Sequence, residues 1–338
     1  MGLQPRGEGV KTRPIAATAC AVLTALVCAA CGDSTGPRSD SLVWAAVQSP
    51  AAGLVTGISG TSASDIWAVG ADGIMHFDGA TWSKVETGFE QDHPRAVWAR
   101  TPADVWIVGT DPTMPPGIGS PTILHYDGTT WTATASPTSN FLTHIWGSSA
   151  SDIWAVGTEG GIIHYDGATW SGVASGTAGN LWGLWGTSPS DIWVGGEYVI
   201  LHYDGSQWST VSISKFALGI WASSPSDVWA ATSPGLLHYD GARWSTIPSG
   251  FLFDNAPNTG GQPDAVWGSS PSSVWLGGSN GVAAYPCCGK MQYYDGSRWS
   301  DVRLAAGTGV IAAIWGSSAS DVWAGTALGI IHGTPANP

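Results

Sequence analysis

The sequence predicts an all-β fold, a seven-bladed β-propeller built from four-stranded antiparallel blades. Three observations carry that prediction. An SxSDxW element recurs seven times, with small variations, at Trp67, Trp106, Trp154, Trp193, Trp229, Trp275 and Trp323. The spacing stays near the ~40-residue period of a propeller blade. Another tryptophan stands eight residues earlier in six of the seven repeats (Trp98, Trp146, Trp185, Trp221, Trp267, Trp315), with Ser59 in the first. A DGxxW element then gives Trp82, Trp131, Trp170, Trp208, Trp244 and Trp299. No sustained 3.6-residue apolar stripe competes with this pattern.

The third repeat illustrates one blade. Residues 142–147 alternate around Ile145 and Trp146, and the turn SSAS leads into a second strand over 152–157. Glu159-Gly160-Gly161 turns the chain into 162–165, and Asp166-Gly167 is a hairpin signal before a fourth strand at 170–174. The last repeat ends at 329–333 without a DGxxW strand. The missing strand is expected from 42–48, because Trp44 and Val47 stand in the same relation as Trp82 and Val85. That pairing would close the ring and remove two open sheet edges. The propeller is thus expected over 42–333, with 334–338 as a tail.

DxWAVGxxGxIxHYDGxxW resembles the repeat of the BNR/Asp-box propellers and of the photosystem II assembly-factor-like propellers. The resemblance covers about residues 54–333 and implies the fold, not a ligand. The Asp-to-Trp spacing, four residues from Asp127 to Trp131, is one shorter than in those families, and the Asp-box serine is absent.

The N-terminus reads as an address. Arg6, Lys11 and Arg13 precede a sixteen-residue apolar run, 15–30, which is short for a membrane span and suits a signal-peptide core. Residues 1–30 are therefore expected to be a signal peptide. Leu26-Val27-Cys28-Ala29-Ala30-Cys31 resembles a bacterial lipobox, with Cys28 where leucine is usual. The resemblance implies lipidation at Cys31, with 31–41 as a flexible Gly/Ser/Pro/Asp tether. Gly32 after the cysteine goes, by the same resemblance, with the outer membrane rather than the inner. The expected location is the bacterial cell envelope, with the membrane reached only through the lipid.

Formal net charge is −13. Three of the twelve basic residues but only one of the 25 acidic ones, Glu8, lie before Cys31, so the body carries about −15. Such a surface excludes nucleic acid as a partner, since phosphate neutralisation needs Lys and Arg. The acidity also serves solubility.

Six of the eight histidines (His76, His125, His164, His202, His238, His332) occupy one repeat position. Placed one per blade, they cannot converge on a metal ion. They are expected to bond the SD aspartates Asp65, Asp104, Asp152, Asp191, Asp227 and Asp321 within their own blades; the sixth repeat has Ser273 there. No DxDxDG calcium loop, nucleophile elbow or phosphate loop is present, and the arginines do not form a sialidase set. No catalytic residue, metal or cofactor is nominated.

Function is then sought where the repeat is broken. Three insertions, 110–121, 249–264 and 279–292, are expected on one face, since strand direction alternates. Loops on scaffolds commonly carry function. The expected binding face comprises Trp182, read as lying outside the repeat register, with Phe251, Phe253, Tyr285, Cys287 and Cys288. His144 joins it as a polar residue where other repeats have Gly or Ala. Cys287 and Cys288 are adjacent and open to three states: a vicinal disulfide, free thiols or a bond to another molecule. The expected function is non-catalytic binding of a protein or peptide. A glycan-binding lectin is the alternative, and a carbohydrate-active enzyme a third.

Overall fold

The computed structural model describes residues 42–89, 93–110, 122–251, 261–281 and 288–336. Cys31, Phe253, Tyr285 and Cys287 lie outside the described residues, as do the expected signal peptide and the tether up to residue 41. The chain enters through β1 (Leu42–Ala46). Strands β2 to β5 (Val55–Ser62, Asp65–Gly70, Gly73–Phe77, Trp82–Val85) form a four-stranded antiparallel sheet. Similar sheets follow in β6 to β9 (His93–Thr101, Asp104–Thr110, Thr122–Tyr126, Trp131–Ala135) and β10 to β13 (Leu142–Ser149, Asp152–Gly157, Ile162–Tyr165, Trp170–Val173). Strands β14 to β19 (Leu181–Ser188, Asp191–Tyr203, Trp208–Ser224, Asp227–Ser233, Leu236–Tyr239, Trp244–Ile247) make one six-stranded sheet. Strands β20 to β23 (Gln262–Ser270, Ser273–Ser279, Gly289–Tyr294, Trp299–Asp301) make the next. The last has the order β1-β26-β25-β24, with β24 at Ile311–Ser318, β25 at Asp321–Thr326 and β26 at Gly329–Pro335.

Among the described residues the sheets number six, which corrects the expectation of seven separate blades. The reason is local. The fourth and fifth repeats have the shortest spacing, from Trp193 to Trp229, and no residues are left for a loop between them. β16 therefore runs unbroken from the outer strand of one repeat into the inner strand of the next, with Phe216 paired to both Glu197 and Ser233. β15 likewise carries two repeat strands through a tight reversal at Tyr198, whose φ is 61°. All seven SxSD hairpins are nevertheless present, with Ser59 or a tryptophan opposite a tryptophan in each.

Burial explains the composition. The second strand of each repeat lies between neighbouring sheets, so DIWAVG in β3 is buried at every position and reads as one apolar run rather than an alternation. In six of the seven repeats its tryptophan packs on the aromatic pair of the following repeat. Trp154, for example, meets Tyr203 at 5.2 Å and Trp208 at 5.7 Å, and Trp323 of the last repeat meets Phe77 and Trp82 of the first. Inner tryptophans pack differently, five of the six lying on the bare backbone of a glycine in a neighbouring repeat, whereas Trp185 donates its indole N–H to the carbonyl of Ala222. A Cβ on Gly147 would come within 2.6 Å of Trp98, and one on Gly316 within 2.7 Å of Trp267. The first repeat has Ser59 in place of the tryptophan, and there the facing residue is Ala99, whose N–H donates to Ser59 Oγ at 3.1 Å.

The SD aspartates tie each repeat internally. His Nε2 donates to Asp Oδ1 at 2.6–2.8 Å in six repeats, and each of these rings stacks on the repeat's own tryptophan at 3.6–4.2 Å. The sixth repeat changes both partners together. Tyr293 stands where histidine is usual and its hydroxyl reaches Ser273 Oγ at 3.4 Å, while the Trp275 indole N–H finds no acceptor. The turn aspartates of DGxxW accept the N–H groups two and three residues on, as Asp166 does from Ala168 at 2.9 Å and Thr169 at 2.8 Å. Those bonds hold its carboxyl below the usual range.

Candidate functional site

The first strands of all seven repeats (β2, β6, β10, β14, the second half of β16, β20 and β24) stand side by side, and β24 also contacts β2. Together they surround a cavity of about 320 Å³. What enters this cavity is set by a β-bulge. Each first strand skips one residue in its pairing near its start: Thr56, Arg95, Thr143, Trp182, Leu218, Asp264 and Ala312. Bulges break the ladder and re-aim a side chain, and here all seven skipped residues line the cavity. A second bulge five residues on has another task. In six repeats it turns Thr61, Arg100, Ser148, Thr187, Ser223 or Ser317 onto the Oδ2 of its SD aspartate.

Among the described residues the bulge column offers a different chemistry at nearly every step of a strongly repeated scaffold. Two members are occupied structurally: Thr56 Oγ1 donates to the Arg95 carbonyl at 2.8 Å, and Thr143 Oγ1 to the Leu181 carbonyl at 2.6 Å. Arg95 is exposed, and among the described residues its guanidinium has no ion-pair partner. Asp264 accepts from Gln262 Nε2 at 2.7 Å, and Gln262 Oε1 in turn accepts from Ser233 Oγ at 3.1 Å. Burial pushes the Asp264 carboxyl up to about 6, against the smaller downward pull of Gln262. His144, next to the bulge residue Thr143, lines the same cavity, and burial pushes its imidazole below the ordinary value. The Ile145 N–H lies 3.0 Å from its Nδ1, consistent with a neutral ring protonated on Nε2.

Trp182 corrects the reading that placed it outside the repeat register: it is the bulge residue of the fourth repeat. Its ring meets Phe216 edge-on at 5.7 Å, and Phe216 meets Tyr198 at 4.8 Å. Tyr198 is 53% exposed, so an aromatic strip runs from the cavity mouth to the rim.

Sequence comparison finds no family model and no curated protein that matches. Solved structures do match. YCF48 bound to a D1 peptide is similar, with a TM-score of 0.68 at 18% identity, over 89% of this chain and 99% of that one. YCF48 from Cyanidioschyzon merolae gives 0.64 at 14% identity, over 86% and 98%. A streptogramin B lyase gives 0.67 at 14% identity, over 87% and 97%. The chain is a β-propeller. At these identities the likeness is one of fold.

The propeller brings only part of the expected binding face together. Trp182 and His144 share the channel mouth. Phe251 does not belong there: it is fully buried, in a cluster with Met291 and Val302, and Lys290 Nζ lies 5.5 Å from its ring centre. As an aromatic at the end of a turn it fills a gap between strands rather than facing a partner. Cys288 is likewise buried, with φ +79°, and is disulfide-bonded. Among the described residues no helix is long and apolar enough to cross a membrane. Arg95, Leu218 and Asp264 are the site residues the sequence reading missed. The signal was available in the column three residues before each inner tryptophan.

Asp264 yields a stability prediction. An unfolded Asp titrates near 3.9, whereas this one titrates near 6 in the fold. Between those values the folded state holds more proton, so this group's contribution falls as pH rises from about 4 to about 6 and stays low above. Asp264→Asn is therefore expected to raise Tm by about 2 °C or more at about pH 8 and to give no gain near pH 4. A lowered Tm at the higher pH would contradict the cost assigned to this carboxylate.

Proposed function

We propose that this propeller is a non-catalytic binding protein that holds a peptide or a protein segment at the mouth of its channel. The observation carrying the proposal is the bulge column, in which one invariant backbone feature presents Arg95, Trp182, Leu218 and Asp264 to a common cavity. Support also comes from a structure of similar fold that is described as bound to a peptide. The insertions belong to the same end. Thr110 pairs with His93, and Ser279 with both Gln262 and Gly289, so the flanks of these loops lie where the first strands begin.

The six-stranded sheet is read as two blades joined through β15 and β16, giving seven around the channel. The pairing of β1 with β26 is read as the closure of that ring. The chain is further proposed to be anchored by a lipid on Cys31 in the bacterial cell envelope. Cys31→Ala should move the protein from the membrane fraction to the soluble one, and an unchanged distribution would remove the anchor.

A randomised peptide library passed over the immobilised mature protein should yield enriched sequences. Trp182→Ala should weaken them by about 2 kcal/mol, roughly thirtyfold, as the loss of a central aromatic anchor does. No enrichment, alongside retention on a glycan array, would favour the lectin reading instead.

A further inference from the structure

The geometry points to a short peptide with both termini free as the ligand of this mouth, its carboxylate on Arg95, its ammonium on Asp264 and a side chain against Trp182. This rests on the peptide-binding reading above and narrows it. Among the seven bulge residues there is one cation and one anion. Around the cavity they are separated by Ala312 and Thr56 on one side and by Thr143, Trp182 and Leu218 on the other, so they face each other across the opening. Neither has a charged partner among the described residues, and Asp264 is held by a single neutral amide on one oxygen. A lone carboxylate at a desolvated position is unfavourable until a cation arrives. A guanidinium left free in solvent offers its fork to a carboxylate.

Size argues for a few residues rather than a folded partner. The cavity, about 320 Å³, is at the small end of small-molecule sites. Two of the three residues between the charges on the longer side are apolar, Trp182 and Leu218, with Phe216 behind Trp182. That gives the ligand's middle side chain an aromatic surface while its ends are fixed by charge. His144, held neutral, adds no competing charge.

The test uses the mature protein and a tripeptide pool with a randomised middle residue, in four forms: both termini free, N-acetylated, C-amidated and doubly blocked. Retention is measured by equilibrium dialysis near pH 7.5. The free form should be retained, each single block should weaken retention about tenfold or more, and the doubly blocked pool should be lost. Arg95→Gln should erase the penalty for amidation alone, and Asp264→Asn the penalty for acetylation alone. Since Asp264→Asn is expected to stabilise the fold, its loss of retention cannot be assigned to unfolding. Equal retention of all four forms would overturn the recognition of both ends while leaving peptide binding in place. Retention of longer library peptides without any tripeptide would overturn it in the same way. Failure of both would remove the peptide-binding reading itself.

Discussion

Replacing Trp44 with Ala is expected to cost the fold about 3–5 kcal/mol, the range for deleting a buried tryptophan. Trp44 comes from the first strand of the described chain yet is 7% exposed, in one cluster with Trp275 and Ile331 far along the sequence. It sits opposite Gly333 on β26, and a Cβ added to that glycine would lie 2.7 Å from Trp44 Cε2. The glycine thus holds the place that Tyr165 holds opposite Trp170 in the third repeat, and the indole covers it directly. Loss of the ring would leave a cavity over Gly333. Val43 on the same strand is 46% exposed, so Val43→Ala should stay within about 0.5 kcal/mol. Urea unfolding of the two variants separates these cases. Equal midpoints would mean that the Trp44 ring contributes nothing to the stability of the fold.

Asp191→Ala is expected to cost about 3 kcal/mol, because a buried carboxylate leaves and its donors stay behind. Asp191 is 4% exposed; its Oδ1 accepts from His202 Nε2 at 2.8 Å and Trp193 Nε1 at 3.1 Å, and its Oδ2 from Thr187 Oγ1. Burial works against its charge, but the bonds from His202, Thr187 and Trp193 together outweigh burial and hold the carboxyl below the ordinary range. Asp227 and Asp321 behave alike for the same reasons. For a lowered carboxyl the stabilisation is complete above the unfolded value near 4 and is lost as pH falls through the folded value. Acid should therefore erode the wild type below about pH 4, and Asp191→Ala should narrow the gap between variant and wild type there. A Ser273→Ala change in the sixth repeat, where no carboxylate stands, should show no such convergence.

Much of this was legible in the sequence because the repeat states each rule six or seven times. The aspartate, histidine and tryptophan of each repeat were readable as an internal network, and Trp44 as the counterpart of Trp82, from spacing alone. What spacing does not encode is whether two repeats share a sheet. That depended on how few residues lie between Trp208 and Ser224, which let β16 run without a loop. Nor does alternation show a bulge. Trp182 looked irregular because the extra residue of a bulge breaks the period-two pattern, although every repeat breaks it in the same place. Phe251 was misread for the opposite reason: an aromatic in a loop sequence gives no sign of being folded back onto Met291 and Val302.

The claim that the bulge column is the binding site is tested most directly by hydrogen–deuterium exchange of the mature protein with and without a library-enriched peptide. Protection is expected at the channel ends of β2, β6, β10, β14, β16 and β20, around Thr56, Arg95, Thr143, Trp182, Leu218 and Asp264. The DGxxW turns at the outer edge should exchange unchanged. Protection confined to those turns or to the outer strands, with the channel residues unaffected, would contradict it.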